Sequence, residues 1–205
     1  MSRRLRRLQQ GFSLIVVLML LVVVTVLGVA AAQVSLVNER SARNDRDTEL
    51  AFQAAEAALS DAESDVLGPN DSVRQRLCLF NHRDVTAFVA GCGGAGENQG
   101  LCAPGEPGTD PAWMTADFAA DGPRSVAYGA FTGQTYAATA RAPRYIVEAV
   151  RSRGTGQGDA LQNASAQGPG YVFRVTAIGF GTREETQVVL QTNLYKPAAS
   201  PGCPS

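Results

Sequence analysis

Charge is missing from residues 12–32 of this sequence, where Ser13 and Thr25 carry the only polar side chains. Proline and turn signals are missing from the stretch that follows, Ala32 to Val66, so nothing there breaks a helix. Histidine is almost absent. His82 stands alone and the four cysteines show no CxxC pairing, which argues against a zinc site. The chain also lacks a strong charge of either sign: a formal net charge of -1 excludes the basic surface of a nucleic-acid binder and the acidic run of a charged tail. There is no convergent set of polar residues and no nucleophile in a recognisable motif. The chain therefore reads as a non-enzyme, without cofactor or metal.

What is present begins with length. Roughly twenty helical residues at ~1.5 Å each span the ~30 Å hydrocarbon core of a bilayer, and residues 12–32 supply them. A secretory signal has a shorter apolar core and a small-x-small cleavage site, which Ala30-Ala31-Ala32 imitates, so cleavage there is the competing expectation. Arg3, Arg4, Arg6 and Arg7 place the N-terminus in the cytoplasm and the bulk of the chain across the membrane. Residues 33–67 continue as an amphipathic helix, ended by Gly68-Pro69. Phe52, Ala55, Leu59, Ala62 and Val66 form its apolar stripe, and Glu49, Glu56, Asp61 and Glu63 are expected to face water. Together the two stretches make one helix of about 55 residues, or ~80 Å.

Residues 70–205 form one modest extracytoplasmic head. Its first part, to Asp121, is rich in Gly and Pro and reads as loops with short helical pieces. Strands are expected at 144–150, 171–180 and 185–195, the last two joined through Gly181-Thr182-Arg183 as a hairpin. Tyr171, Phe173, Val175 and Ala177 share one face and meet Val188, Leu190 and Leu194. The polar segment between the first two strands reads as a long loop. The fold class is α+β: a long N-terminal helix covering one face of a small antiparallel sheet, with a loop-rich region stapled by disulfides. An even number of cysteines in an exported head favours such bonds. Closing the short Gly-rich loop favours Cys92–Cys102, and elimination leaves Cys78–Cys203; the other two connectivities stay open.

Several local patterns compete for attention. Gly91 to Gly96 matches GxGxxG, but lies in a Cys/Pro/Gly loop without a βαβ setting. Asn163-Ala164-Ser165 matches a glycosylation acceptor and reads as loop sequence. His82 near Asp84 reads as a surface histidine, and Trp113 as packing beneath the loops. The run from Glu39 to Glu49, with Arg43, Asp45, Arg46 and Asp47, fits a solvated helix face and a contact between neighbouring subunits equally well.

A basic leader ending in Gly11, then Phe12, a long apolar helix and a small α+β head resemble a type IV prepilin. Within that superfamily, "QQGFSLIVVLMLLVVVTVLG" and "NERSARNDRDTELAFQAAEAALSDAE" resemble the N-terminal region of PilX-type minor pilins, over roughly the first third of the chain. The resemblance implies cleavage by a prepilin peptidase between Gly11 and Phe12, leader 1–11 being removed, and N-methylation of Phe12. Val16 on the apolar run, and Phe52, Ala55 and Leu59 on the stripe, are the expected helix-packing residues. The implied partners are other minor pilins, the major pilin, the inner-membrane assembly platform and a large tip adhesin. The implied role is initiation of pilus assembly at the tip, supporting adhesion, twitching motility or DNA uptake. One departure is informative. Most pilins carry a glutamate five residues into the mature chain, and Val16 stands there. That carboxylate neutralises the buried N-terminal ammonium of the subunit ahead, so a subunit lacking it is least penalised where none lies ahead. The alternatives are a minor pseudopilin of type II secretion, for which the chain is short, and a signal-anchored periplasmic enzyme.

Overall fold

The computed structural model describes residues 10–68, 76–106, 108–118, 122–137, 139–152, 170–196 and 203, with side chains from Leu14 onward. The chain divides into two units, Met1–Arg46 and Asp47–Ser205. Helix α1, Gln10–Leu67, runs through the boundary between them. Gly68, at φ +83°, occupies the left-handed conformation that ends it.

In the second unit, the end of α1 lies against a sheet of five strands: β1 (Leu101–Cys102), β2 (Val126–Ala127), β3 (Arg144–Arg151), β4 (Tyr171–Phe180) and β5 (Gln187–Leu194). The three long strands are antiparallel neighbours in the order β3-β4-β5, with Tyr145 opposite Ala177 and Ala177 opposite Leu190. The short strands flank β3, β1 parallel to it and β2 antiparallel, so the sheet is mixed. A one-turn helix, α2 (Ala112–Thr115), lies in the loop region.

The alternation of strand side chains makes two faces. Tyr145, Val147 and Ala149 of β3, with Phe173, Val175 and Ala177 of β4, are buried together with Ala58, Ala62 and Val66 of α1. Phe80 and Phe88 complete that core, Phe80 edge-on to Phe173 at 5.6 Å and Phe88 stacked on it at 5.6 Å. On the other face Ile146 packs with Cys92 and Cys102. There Glu148, opposite Arg174 in the register, accepts from its guanidinium at 2.8 Å. Along β5, Val188, Leu190, Thr192 and Leu194 turn inward but stay half-exposed, as expected of a last strand.

The buried line on α1 is Asp47, Ala51, Ala54, Ala55, Ala58, Asp61, Ala62, Asp65 and Val66, a run of three- and four-residue steps. It is rotated from the stripe the larger side chains suggest. Phe52, placed on that stripe by its spacing, is 38% exposed; Leu59 is half-buried, and Ala55 is fully buried. The cause is close approach. A Cβ on Gly179 would lie 2.1 Å from the Ala51 carbonyl oxygen and 2.3 Å from the Ala55 nitrogen. Sheet and helix backbones therefore touch where only alanine and glycine fit, and a phenylalanine there would hold them apart.

The hairpin between β4 and β5 is longer than the three residues expected. It closes through Gly181 N–H donating to the Thr186 carbonyl at 2.8 Å, and β5 begins at Gln187. Asn163 and most of the loop between β3 and β4 lie outside the described residues.

Candidate assembly interface

In the first unit, every described side chain from Leu14 to Arg46 is exposed. The large apolar ones between Leu14 and Val37 range from 47% at Val16 to 71% at Met19. The helix is long and apolar enough to cross a membrane. Within it the Thr25 hydroxyl donates to the Val22 carbonyl at 2.8 Å and so needs no water. Beyond the apolar stretch, Arg43 pairs with Glu39 one turn before it. Gly11 and Phe12 lie in the first turns of α1.

In the second unit three aspartates on the buried line of α1 organise the head, which corrects the expectation that Asp61 faces water and turns Asp47 to the head rather than to solvent or a neighbouring subunit. Asp47 accepts from the Thr182 backbone N–H, the hydroxyls of Thr182 and Thr186, and Arg183 Nε at 3.2 Å. The hydrogen bonds from Thr182 and then Thr186 hold its carboxyl well below the usual carboxylate range. Asp61 accepts from the Gly129 N–H at 2.8 Å and from the Thr132 hydroxyl, fastening the loop after β2; burial still raises its pKa.

Asp65 accepts from the Tyr145 hydroxyl at 2.9 Å and pairs with Arg76 at 3.1 Å, all three side chains being fully buried. Burial pushes the Asp65 carboxyl up to about 6, although Arg76 opposes this. Arg76 also donates to the Gln99 carbonyl at 2.7 Å and lies 3.9 Å over the Phe131 ring. Lys196, the only lysine of the chain, donates to the carbonyls of Val66 at 2.9 Å and Leu77 at 2.8 Å. It thereby satisfies an orphan carbonyl at the negative end of α1. Burial lowers its pKa to about 8.

Two disulfides staple the head. Cys92 is bonded to Cys102, ten residues on, and Cys78 to Cys203, 125 residues on. The glycine-rich loop from Gly91 to Gly96 winds inside the first: Gly91, Cys92 and Gly96 have positive φ, and a Cβ on Gly93 would strike the Asn98 carbonyl. Among the described residues it is followed by the two-residue β1 and the one-turn α2, not by the strand-turn-helix setting of a dinucleotide site. His82 is half-buried beside Tyr195, and Trp113 is 37% exposed rather than packed beneath the loops. Among the described residues no group of His, Cys, Asp and Glu could hold a metal ion.

The first unit thus presents, among the described residues, an exposed apolar helix of membrane length, and in the second the head packs on the part of α1 that belongs to it. Two family models match it: PilX N-terminal over residues 10–60, and the type IV pilus assembly protein PilX C-terminal region over residues 98–196. No curated protein and no solved structure matches the chain. With both halves of one family matched in order, the chain belongs to the PilX family and is a PilX-type minor pilin of a type IV pilus. Pilins of this family are structural, membrane-anchored components that act by contact with other pilus proteins.

Proposed function

We propose that this minor pilin acts at the tip of the pilus, where it joins other minor pilins to initiate assembly. The observation that carries the reading is Val16, which puts an apolar side chain where most pilins carry a carboxylate. A subunit without that carboxylate cannot neutralise an N-terminal ammonium ahead of it, and the penalty vanishes only where no subunit lies ahead. Leader 1–11 is removed by a prepilin peptidase, Phe12 becomes the N-methylated first residue, and the mature helix stays in the inner membrane with the head in the periplasm until assembly. Adhesion, twitching motility and DNA uptake follow from the pili that are started.

Val16→Glu tests the positional part. At the tip the new carboxylate finds no ammonium, and burying it unpaired among helices or lipid costs several kcal/mol unless it protonates. The variant should insert and be processed, yet lower pilus number while leaving the pili that form unaltered. Normal pilus number with the variant spread along the shaft would refute tip placement. Intact mass showing an N-terminus near Gln33 instead of N-methylated Phe12 would refute the processing.

A further inference from the structure

β5 is the last strand of the sheet. It is paired with β4 through all eight of its residues and, among the described residues, with no strand on its other side. Its sequence, QVVLQTNL, contains no Lys, Arg, Asp, Glu or Pro, and its register with β4 has no bulge. Charges, prolines and bulges are the devices that keep open edges from pairing. Without them the outer edge of β5 is a straight row of backbone donors and acceptors.

Beside that edge runs a groove of about 270 Å³, lined by Glu56, Leu59, Ser60 and Glu63 of α1 and by Thr192 and Leu194 of β5. Exposed Phe52 lies one turn before Glu56 on the same line of the helix. Glu56 and Glu63 are exposed, and the ion pairs among the described residues use other carboxylates. The groove is thus apolar along its floor and negative along its rim.

We propose that the outer edge of β5 is a strand-addition site for a partner pilus protein. The partner's extended segment presents basic and apolar side chains alternately on the face turned toward α1. A strand added to β5 sends every second side chain over the helix. Apolar ones then cover Leu59 and Phe52, while basic ones reach Glu56 and Glu63. Those glutamates are seven helical residues apart, about 10 Å. Same-face strand residues four apart are separated by ~13 Å, a difference that flexible lysine arms absorb. The pattern is basic-x-apolar-x-basic. A second copy of this chain is the wrong occupant: pairing β5 with β5 would set each groove's glutamates opposite their like, with no cation on either strand.

The proposal rests on the pilin reading only for the partner's class, and its test does not need pili. The full chain in detergent micelles is mixed with the end-blocked peptide Thr-Lys-Thr-Val-Thr-Lys-Thr or with the permuted Thr-Thr-Lys-Lys-Val-Thr-Thr. Amide hydrogen exchange is then followed by mass spectrometry. The alternating peptide should slow exchange in Gln187–Leu194 about tenfold, the permuted one should not, and Glu56→Lys with Glu63→Lys should abolish the effect at unchanged Tm. No protection, equal protection by both peptides, protection that survives the charge reversal, or a dimer formed through β5 would overturn the proposal. Any of these would leave family membership standing, whereas an unprocessed N-terminus would count against the pilin reading and not against this one.

Discussion

Gly179→Ala isolates the contact on which the head is built. The backbone of β4 at this position is ordinary strand, so without the helix above it alanine would stabilise by about 0.4–1 kcal/mol through loss of unfolded-state freedom. With the helix there the sign reverses. The new Cβ would stand 2.1 Å from the Ala51 carbonyl oxygen and 2.3 Å from the Ala55 nitrogen, more than an ångström inside van der Waals contact. Both atoms are backbone, so no rotamer can relieve the clash and α1 must lift from the sheet along its alanine line. Overpacking of this kind costs about 1–3 kcal/mol, and the direct clash with backbone favours the upper end. At about 2–4 °C per kcal/mol for a chain of this size, Tm should fall by several degrees. The assay is thermal unfolding of the full chain in detergent, followed by near-ultraviolet circular dichroism. Gly28→Ala, where no heavy atom lies near the added Cβ, serves as the control and should leave the head's transition in place. Trimming Ala51 or Ala55 to glycine should not rescue Gly179→Ala, because their side chains are not what it strikes. A Tm equal to or above wild type, or full rescue by Ala51→Gly, would refute the close-approach argument.

Asp47 should make the head acid-sensitive. Its folded pKa lies below its unfolded value, so its stabilisation is present above about pH 4 and is lost as pH falls toward the folded value; Asp47→Asn should flatten that part of a pH–Tm curve. Arg76→Met should behave oppositely: Asp65, already raised to about 6 and then deprived of its cation, binds a proton more tightly folded than unfolded. The cost of that substitution should therefore stay level below the wild-type value and grow as pH rises past about 6, where wild-type Asp65 ionises and the variant's still holds its proton, read by urea unfolding at each pH. Serine replacement of Cys78 and Cys203 should destabilise by about 4–5 kcal/mol in the chain-entropy account, against about 2–3 kcal/mol for Cys92 and Cys102, because the first bond closes the far longer loop. Equal shifts in denaturant midpoint would show that strain or residual structure outweighs loop length.

The membrane-length helix was legible in the sequence because lipid demands one property, an uncharged run, and residues 12–32 display it without help from the rest of the chain. The three long strands and the inward set Phe173, Val175 and Ala177 were legible for a similar reason, since alternation along a strand is a local pattern. The family resemblance also lay in a continuous stretch near the N-terminus. What stayed hidden was which face of α1 meets the sheet. Judged by size, Phe52 and Leu59 outweigh the alanines, and the stripe drawn through them put Asp61 in water. The chosen face is the one that lets backbones touch, and that depends on Gly179, far away in the chain. The signal was there as the regular spacing of Ala51, Ala54, Ala55, Ala58 and Ala62, a line of small side chains along one side of the helix. The burial of Asp47, Asp61 and Asp65 could not be read locally either. A carboxylate enters a core only when donors await it, and Thr182, Thr132, Tyr145 and Arg76 arrive from distant segments. Local pattern determined which elements form; the distances between remote backbones and the placement of remote donors determined how they face one another, and only the folded chain contains those.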